Sequence, residues 1–159
     1  MAVMLLALPV FKLQSQSFTE KMFQAGVSYD TFATATFADL KAVKSHDASF
    51  GGGIGLNAFV TKRYGVGLEA VSSTPTEGKF LDALNAKAIV RLPIAILAPS
   101  VFAGGGYNFE TEKPDIFSGG GIELKVWKNA AAFGDARYVY VPAAEKGYGQ
   151  ARLGLRLNF

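Results

Sequence analysis

The chain has 159 residues, of which 18 are Gly, 13 Phe, 6 Tyr and none Cys, and 50% are apolar. That length suits one domain and hardly two; the missing thiols exclude a disulfide framework and thiol catalysis, and no apolar run reaches the roughly 18 residues of a membrane helix. The net charge of +3 comes from scattered basic residues, so there is no nucleic-acid footprint.

Met1 to Phe11 is an apolar run of the length of a signal-peptide h-region. Ser15 and Ser17 give a small-x-small cleavage site before Phe18, although the positively charged n-region is missing. Residues 1–17 are therefore expected to be a signal-peptide remnant, and 18–159 the folded domain. A short core strand or a tail is the other reading of that run.

From there the chain reads as strands. The first is predicted over about Met22 to Thr34, with Phe23, Ala25, Val27 and Tyr29 opposite Gln24, Gly26, Ser28 and Asp30. A long polar stretch around Asp39–Asp47 follows. The second strand, Ala48 to Val60, sets Phe50, Ile54, Leu56, Ala58 and Val60 against Gly51, Gly53, Gly55 and Asn57. A turn at Thr61–Arg63 leads to the third, Tyr64 to Ser72, where Tyr64, Val66, Leu68 and Ala70 oppose Gly65, Gly67 and Glu69. Ser73 to Lys79 is a loop by its Pro and Gly.

The fourth strand, Leu81 to Leu92, sets Leu84, Ala86, Ala88, Val90 and Leu92 against Asn85, Lys87, Ile89 and Arg91. Pro93 to Pro99 reads as a turn bracketed by prolines. The fifth strand, Ser100 to Phe109, has Val101, Ala103, Tyr107 and Phe109 opposite Phe102, Gly104, Gly106 and Asn108. Glu110 to Pro114 reads as a charged loop. The sixth, Asp115 to Trp127, sets Ile116, Ile122, Leu124 and Val126 against Gly119, Gly121, Glu123 and Lys125. Lys128–Asn129 is a short turn before the seventh, Ala131 to Val141, where Ala136, Tyr138 and Tyr140 oppose Asp135, Arg137 and Val139. Pro142 to Gly147 is the last loop.

The eighth strand, Tyr148 to Phe159, alternates strictly. Ala151, Leu153, Leu155, Leu157 and Phe159 share one face; Gln150, Arg152, Gly154, Arg156 and Asn158 share the other. Eight strands of about ten residues, with connections alternating between long and short, predict an all-β, eight-stranded antiparallel up-and-down transmembrane β-barrel.

Alternation does not say which face points out. A soluble barrel buries its apolar face, and a membrane barrel exposes it. Three features favour the second. The polar face mixes Gly with long charged residues, as a narrow lumen requires. It carries both signs, so buried charges have partners: Glu69, Glu123 and Asp135 against Lys87, Arg91, Lys125, Arg137, Arg152 and Arg156. Aromatics sit near strand ends at Tyr29, Phe32, Tyr64, Phe80, Tyr107, Phe109, Tyr138, Tyr140 and Phe159. They are either interfacial girdles or ordinary core residues.

The terminal Phe159 with Leu157, Leu155 and Leu153 at alternate positions before it closely resembles the last strand of bacterial outer-membrane barrels. Ala98–Tyr107 and Asp135–Tyr140 also resemble the small outer-membrane proteins of the β-barrel domain superfamily, the group that includes the OmpA and OmpX transmembrane domains. The resemblance spans roughly Phe18 to Phe159. It implies a monomer in the outer membrane, with lipid and lipopolysaccharide as surroundings. It also implies insertion by the barrel-assembly machinery, with Leu153, Leu155, Leu157 and Phe159 as the assembly signal. The role it implies is structural or one of surface contact, with no cofactor and no nucleic acid.

The residues themselves give no catalytic set. The lone His46 lies between Ser45 and Asp47 in a predicted loop, and adjacent residues of an extended segment alternate in direction. A lipid-modifying enzyme with a Ser/His/Glu site is therefore disfavoured. One His and no Cys disfavour a transition-metal site. Loop carboxylates Asp39, Asp47, Glu77, Glu110, Glu112 and Asp115 have no calcium-loop spacing. Gly51–Gly53 and Gly104–Gly106 precede neither a helix nor Lys-Ser/Thr, so they are not phosphate loops. The function expected is a non-enzymatic barrel acting in membrane integrity, or in surface contact through loops near His46, Pro75, Lys113 and Lys146. A small anion-leaning pore and a soluble lipocalin-like carrier are the alternatives.

Overall fold

The computed structural model describes residues 23–37, 48–73, 81–109 and 111–159. Eight strands are present: β1 (Gly26–Phe37), β2 (Ala48–Phe59), β3 (Tyr64–Ser73), β4 (Ala83–Arg91), β5 (Leu97–Asn108), β6 (Lys113–Trp127), β7 (Ala130–Val141) and β8 (Lys146–Asn158). Each pairs antiparallel with the next, and β8 returns to β1 with Ser28 opposite Asn158, so the barrel is closed. Closure leaves no sheet edge with unpaired backbone groups. The expected signal remnant at 1–17 and the expected loop residues His46 and Pro75 lie outside the described residues.

Several boundaries differ from the sequence reading by a few residues, and three of them change what a residue does. β1 begins at Gly26 and runs on to Phe37, so Phe23 precedes it and leaves the face shared by Val27 and Tyr29. β5 begins at Leu97 and takes in Pro99, which needs no donor there: its carbonyl accepts from the Leu92 amide at 2.8 Å. The real turn is tighter, with Ile94 and Leu97 exchanging both backbone bonds and Ala95 at φ 53°. β6 begins at Lys113, because the Asn108 side chain accepts the Thr111 amide at 2.8 Å and closes a four-residue turn.

The expected alternation of long and short connections is therefore only partial. Residues 60–63, 92–96 and 128–129 join strands at one end, here the turn end. At the other, the loop end, residues 38–47 and 74–82 are long but 109–112 and 142–145 are short. Lys113 and Lys146 each open a strand and do not sit in long loops.

The barrel is inverted relative to a soluble one. Leu56, Val66, Leu68, Val101, Ile116 and Leu155 stand exposed on the outer wall, while Glu69, Lys87, Arg91, Glu123, Arg137, Arg152 and Arg156 are buried inside. Exposed aromatics gather at both rims: Phe50, Tyr107, Phe109, Tyr138 and Tyr140 at the loop end, and Tyr64, Trp127 and Phe159 at the turn end. Phe32 is not among them. It points into the lumen and packs edge-to-face on Phe133 at 6.4 Å. Asp30, two residues earlier on the same face, already points inward, and strand periodicity carries Phe32 with it. Phe80 lies outside the described residues.

The lumen is filled by pairing large residues with glycine across the ladder. Phe59 stands opposite Gly65, Phe117 opposite Gly104, Phe102 opposite Gly119, Phe133 opposite Gly154, and Phe32 opposite Gly53. The missing side chain on one strand makes the space for a ring from the next, the arrangement known as aromatic rescue. Gly104 shows the tightness: a Cβ there would lie 2.0 Å from the Ala86 carbonyl oxygen and 2.8 Å from Phe117 Cζ. Gly134 faces outward, and a Cβ there would meet nothing nearer than 3.7 Å. Gly104→Ala is expected to lower the unfolding free energy by about 1–3 kcal/mol, the usual cost of overpacking. Gly134→Ala should be neutral or gain up to about 1 kcal/mol by restricting the unfolded chain. Urea titration of the refolded pair checks both, and equal effects would contradict this account of the packing.

Candidate functional site

The charged residues of the lumen fall into two clusters. The first centres on Glu69, only 1% exposed. Its Oε1 accepts from Lys87 Nζ and from Arg152 Nη1 at 2.7 Å, and its Oε2 accepts from Arg137 Nη1 at 3.0 Å. Arg152 also clamps Asp135 through two bonds of 2.7 and 2.8 Å. Arg137 Nε donates to Gln150, and Gln150 donates to Thr36. One carboxylate thus ties together β3, β4, β7 and β8, and Asp135 adds a second tie between β7 and β8.

The second cluster lies nearer the turn end. Arg156 clamps Asp30 through two bonds of 2.7 Å and donates to Glu123 at 2.6 Å. Asn57 donates to Asp30 at 2.8 Å, and Arg91 approaches Glu123 at 3.7 Å. Fork-on-carboxylate geometry of this kind is the strong form of an ion pair.

Every cation of the two clusters also lies over a phenylalanine ring. Arg91 is 3.5 Å from the Phe59 centroid, Arg137 is 4.6 Å from Phe117, Arg152 is 4.9 Å from Phe32, Arg156 is 5.2 Å from Phe133, and Lys87 is 5.6 Å from Phe102. These contacts strengthen when water is excluded. At the turn end residues 23–25 fold into the mouth. Phe23 stacks on Arg91 at 5.3 Å, while Arg91 donates to the carbonyls of Gln24 and Lys62.

The structure brings Glu69, Lys87, Arg137, Arg152 and Asp135 into one cluster and Glu123, Arg91 and Arg156 into the other; Lys125 also faces inward. Leu153, Leu155, Leu157 and Phe159 stand on the outer wall, with Phe159 83% exposed at the turn end. Sequence reasoning missed three things. Asp30 lies on the predicted polar face yet outside the predicted charge network, because its partner Arg156 is 126 residues away. Asp115, read as a loop carboxylate, is a buried lumen residue of β6. The inward rings were readable only as sharing the parity of Gly and charge. Counting Asp30 and Asp115, the buried or partly buried lumen charges are six basic (Lys87, Arg91, Lys125, Arg137, Arg152, Arg156) against five acidic (Asp30, Glu69, Asp115, Glu123, Asp135). That balance removes most of the basis for an anion preference.

Among the described residues, the lumen widens toward its two ends. A polar vestibule of about 180 Å³ sits at the loop end, and a second hollow of about 200 Å³ lies at the turn end beside Phe159. Between them, beside Lys87 and Arg156, there is a void of about 20 Å³, room for about one water and not for a continuous channel. Among the described residues, no three of His, Cys, Asp and Glu are grouped as metal ligands. His46, Asp39, Asp47, Glu77 and Glu110 lie outside them.

No family model matches the chain, and no curated protein sequence does. Solved structures do. The N-terminal β-barrel domain of Pseudomonas aeruginosa OprF is 21% identical, with 86% of this chain and 98% of that one covered at a TM-score of 0.63. A de novo designed transmembrane β-barrel is 14% identical, with 86% and 98% covered at 0.62. Neisserial surface protein A is 14% identical, with 84% and 96% covered at 0.60. The fold is thus that of the small eight-stranded membrane barrels, over nearly the whole length of each.

Proposed function

We propose that the chain is a non-enzymatic outer-membrane barrel whose filled lumen makes it a rigid membrane element, acting in envelope integrity or in contact through its loop end. The observation that carries this reading is the inversion itself. A continuous apolar outer wall stands between two aromatic rims, and the charges are buried and paired inside. Such a wall is stable only against hydrocarbon, since a soluble monomer rarely exposes so large an apolar patch. The likeness to OprF and to Neisserial surface protein A supports the same reading.

The filled lumen speaks against a standing pore and against a lipocalin-like cavity, since eight strands leave just the space that side chains occupy here. The long connections at 38–47 and 74–82 carry any surface contact, because the other two are tight turns. Lipid and lipopolysaccharide surround the wall. The outward row of Leu153, Leu155, Leu157 and Phe159 is available to the assembly machinery as the chain inserts. Closure leaves no strand edge for a second chain to extend, which favours a monomer.

The test is refolding of the full chain into detergent micelles, followed by electrophoresis with and without boiling. The expected result is a sheet-rich species whose mobility changes on boiling. A protein that is monodisperse without detergent would overturn the membrane reading.

A further inference from the structure

At the turn end, β6 carries a bulge that the packed lumen does not explain. Lys125 stands opposite Ala131 and Trp127 opposite Ala130, so Val126 is an extra residue in the ladder. Glu123 and Lys125 point into the lumen, and unbroken alternation would send Trp127 in with them. The bulge re-aims it, and Trp127 is 73% exposed beside the outward Leu124 and Val126. Lys128 follows it directly, exposed and with no ion-pair partner among the described residues.

The neighbouring turn extends this apolar surface. The Ile96 carbonyl accepts from the Lys125 amide at 2.8 Å, which sets the tip at residues 92–96 against the end of β6. The tip reads Leu-Pro-Ile-Ala-Ile, with Leu92, Ile94 and Ile96 exposed and no polar side chain. Its backbone asks little of water. Ile94 and Leu97 exchange both bonds, the Leu92 amide is held by Pro99, and Pro93 has no amide hydrogen. Such a tip suits the edge of hydrocarbon, where backbone groups must find partners within the protein. Charge at this end has one sign. The turns 60–63, 92–96 and 128–129 hold Lys62, Arg63 and Lys128 and no Asp or Glu, whereas the loop end sets Glu112 beside Lys113 and Glu145 beside Lys146.

We propose that this corner of the turn-end rim binds an anionic glycerophospholipid. Its chains lie along Leu124, Val126 and the 92–96 tip, and its phosphate meets Lys128. The inference rests on the membrane reading above. An exposed indole has an apolar body and one polar N–H, so it settles at the level of the lipid headgroups. Lys128 is one residue nearer the rim and reaches the phosphates from there. A zwitterionic headgroup brings its own ammonium beside its phosphate and so repels Lys128. An anionic headgroup brings none, and this rim offers it no carboxylate side chain among the described turn residues.

The full chain is refolded into phosphatidylcholine vesicles that contain a minor share of brominated phosphatidylglycerol or the same share of brominated phosphatidylcholine. Trp127 is the one tryptophan in the sequence, so bromine quenching of its fluorescence reads the lipid at this corner. The expected result is a preference of about fivefold for phosphatidylglycerol, the factor one basic residue gives at an anionic surface. It should vanish in roughly 1 M salt. Lys128→Gln should bring the two lipids to parity. Arg63→Gln should leave the preference as it is, since that turn lies across the mouth, four strands away in the closed order. Boiling-dependent mobility verifies that each variant has folded. Equal quenching by the two lipids, or an unchanged preference in folded Lys128→Gln, would overturn the proposal and leave the membrane reading standing. A preference lost equally in Arg63→Gln would overturn it too, as attraction by the whole surface. Quenching by neither lipid removes the site, and if mobility also fails to change on boiling, the membrane reading falls with it.

Discussion

Glu69→Ala is expected to lower the unfolding free energy of the refolded barrel by about 3–5 kcal/mol, the range for removing one partner of a buried ion pair. Three cations converge on Glu69: Lys87, Arg137 and Arg152. Truncation strands them together in a closed space, where each repels the others at low effective dielectric. Arg152 retains Asp135, and Arg137 retains Gln150. Lys87 is left over the face of the Phe102 ring, 5.6 Å from its centroid. The loss should therefore be felt chiefly as stranded charge. A second variant separates that cause from lost packing: adding Lys87→Met to Glu69→Ala should recover part of the stability, because it removes a charge and keeps the volume.

Glu123→Ala should cost less, about 1–3 kcal/mol. Arg156 keeps its two bonds to Asp30, and Arg91 keeps the carbonyls of Gln24 and Lys62. Urea titration in lipid vesicles, with an unchanged slope, reads all three variants. Unchanged stability for Glu69→Ala would mean that water reaches the cluster and that the lumen is not packed.

Strand number and face were legible because the signal for both is local. Glu69 sharing parity with Gly65 and Gly67, and Glu123 with Gly119 and Gly121, defines a face without any knowledge of a partner strand. Partnership itself is not local. Glu69 meets Arg152 across 83 residues, and which lumen residue stands level with which depends on the register that the connections set. Those connections were the weakest part of the sequence reading. Pro99 and Pro114 look like breakers, yet both lie in strands. The turn at 109–112 depends on one side-chain acceptor, Asn108, that composition does not single out. The inward phenylalanines were hidden for a different reason. Phe59 or Phe117 is apolar, and in an inverted barrel an apolar residue is expected outside. Only the glycine opposite each ring shows that the lumen has space for it.

Leu68→Arg is expected to cost about 2–4 kcal/mol in lipid vesicles, the range for an arginine on the outer wall of a membrane barrel at the bilayer midplane. Leu68 lies mid-strand, opposite Leu56 on one side and Ala86 on the other, and is 57% exposed. In water, exchanging an exposed leucine for arginine would usually fall within about 0.5 kcal/mol of neutral. The sign and size of the effect thus report the solvent outside the wall and not the side chain's contacts. Depth supplies the control. Val60 is also exposed, but it sits in the turn at the rim, and Val60→Arg should cost no more than about 1 kcal/mol because its charge reaches the interface. A large cost at Leu68 with a small one at Val60 requires an apolar slab centred on the barrel, which no soluble fold provides. Small, equal costs at both would leave the wall facing water, and the inverted assignment of inside and outside would fall with it.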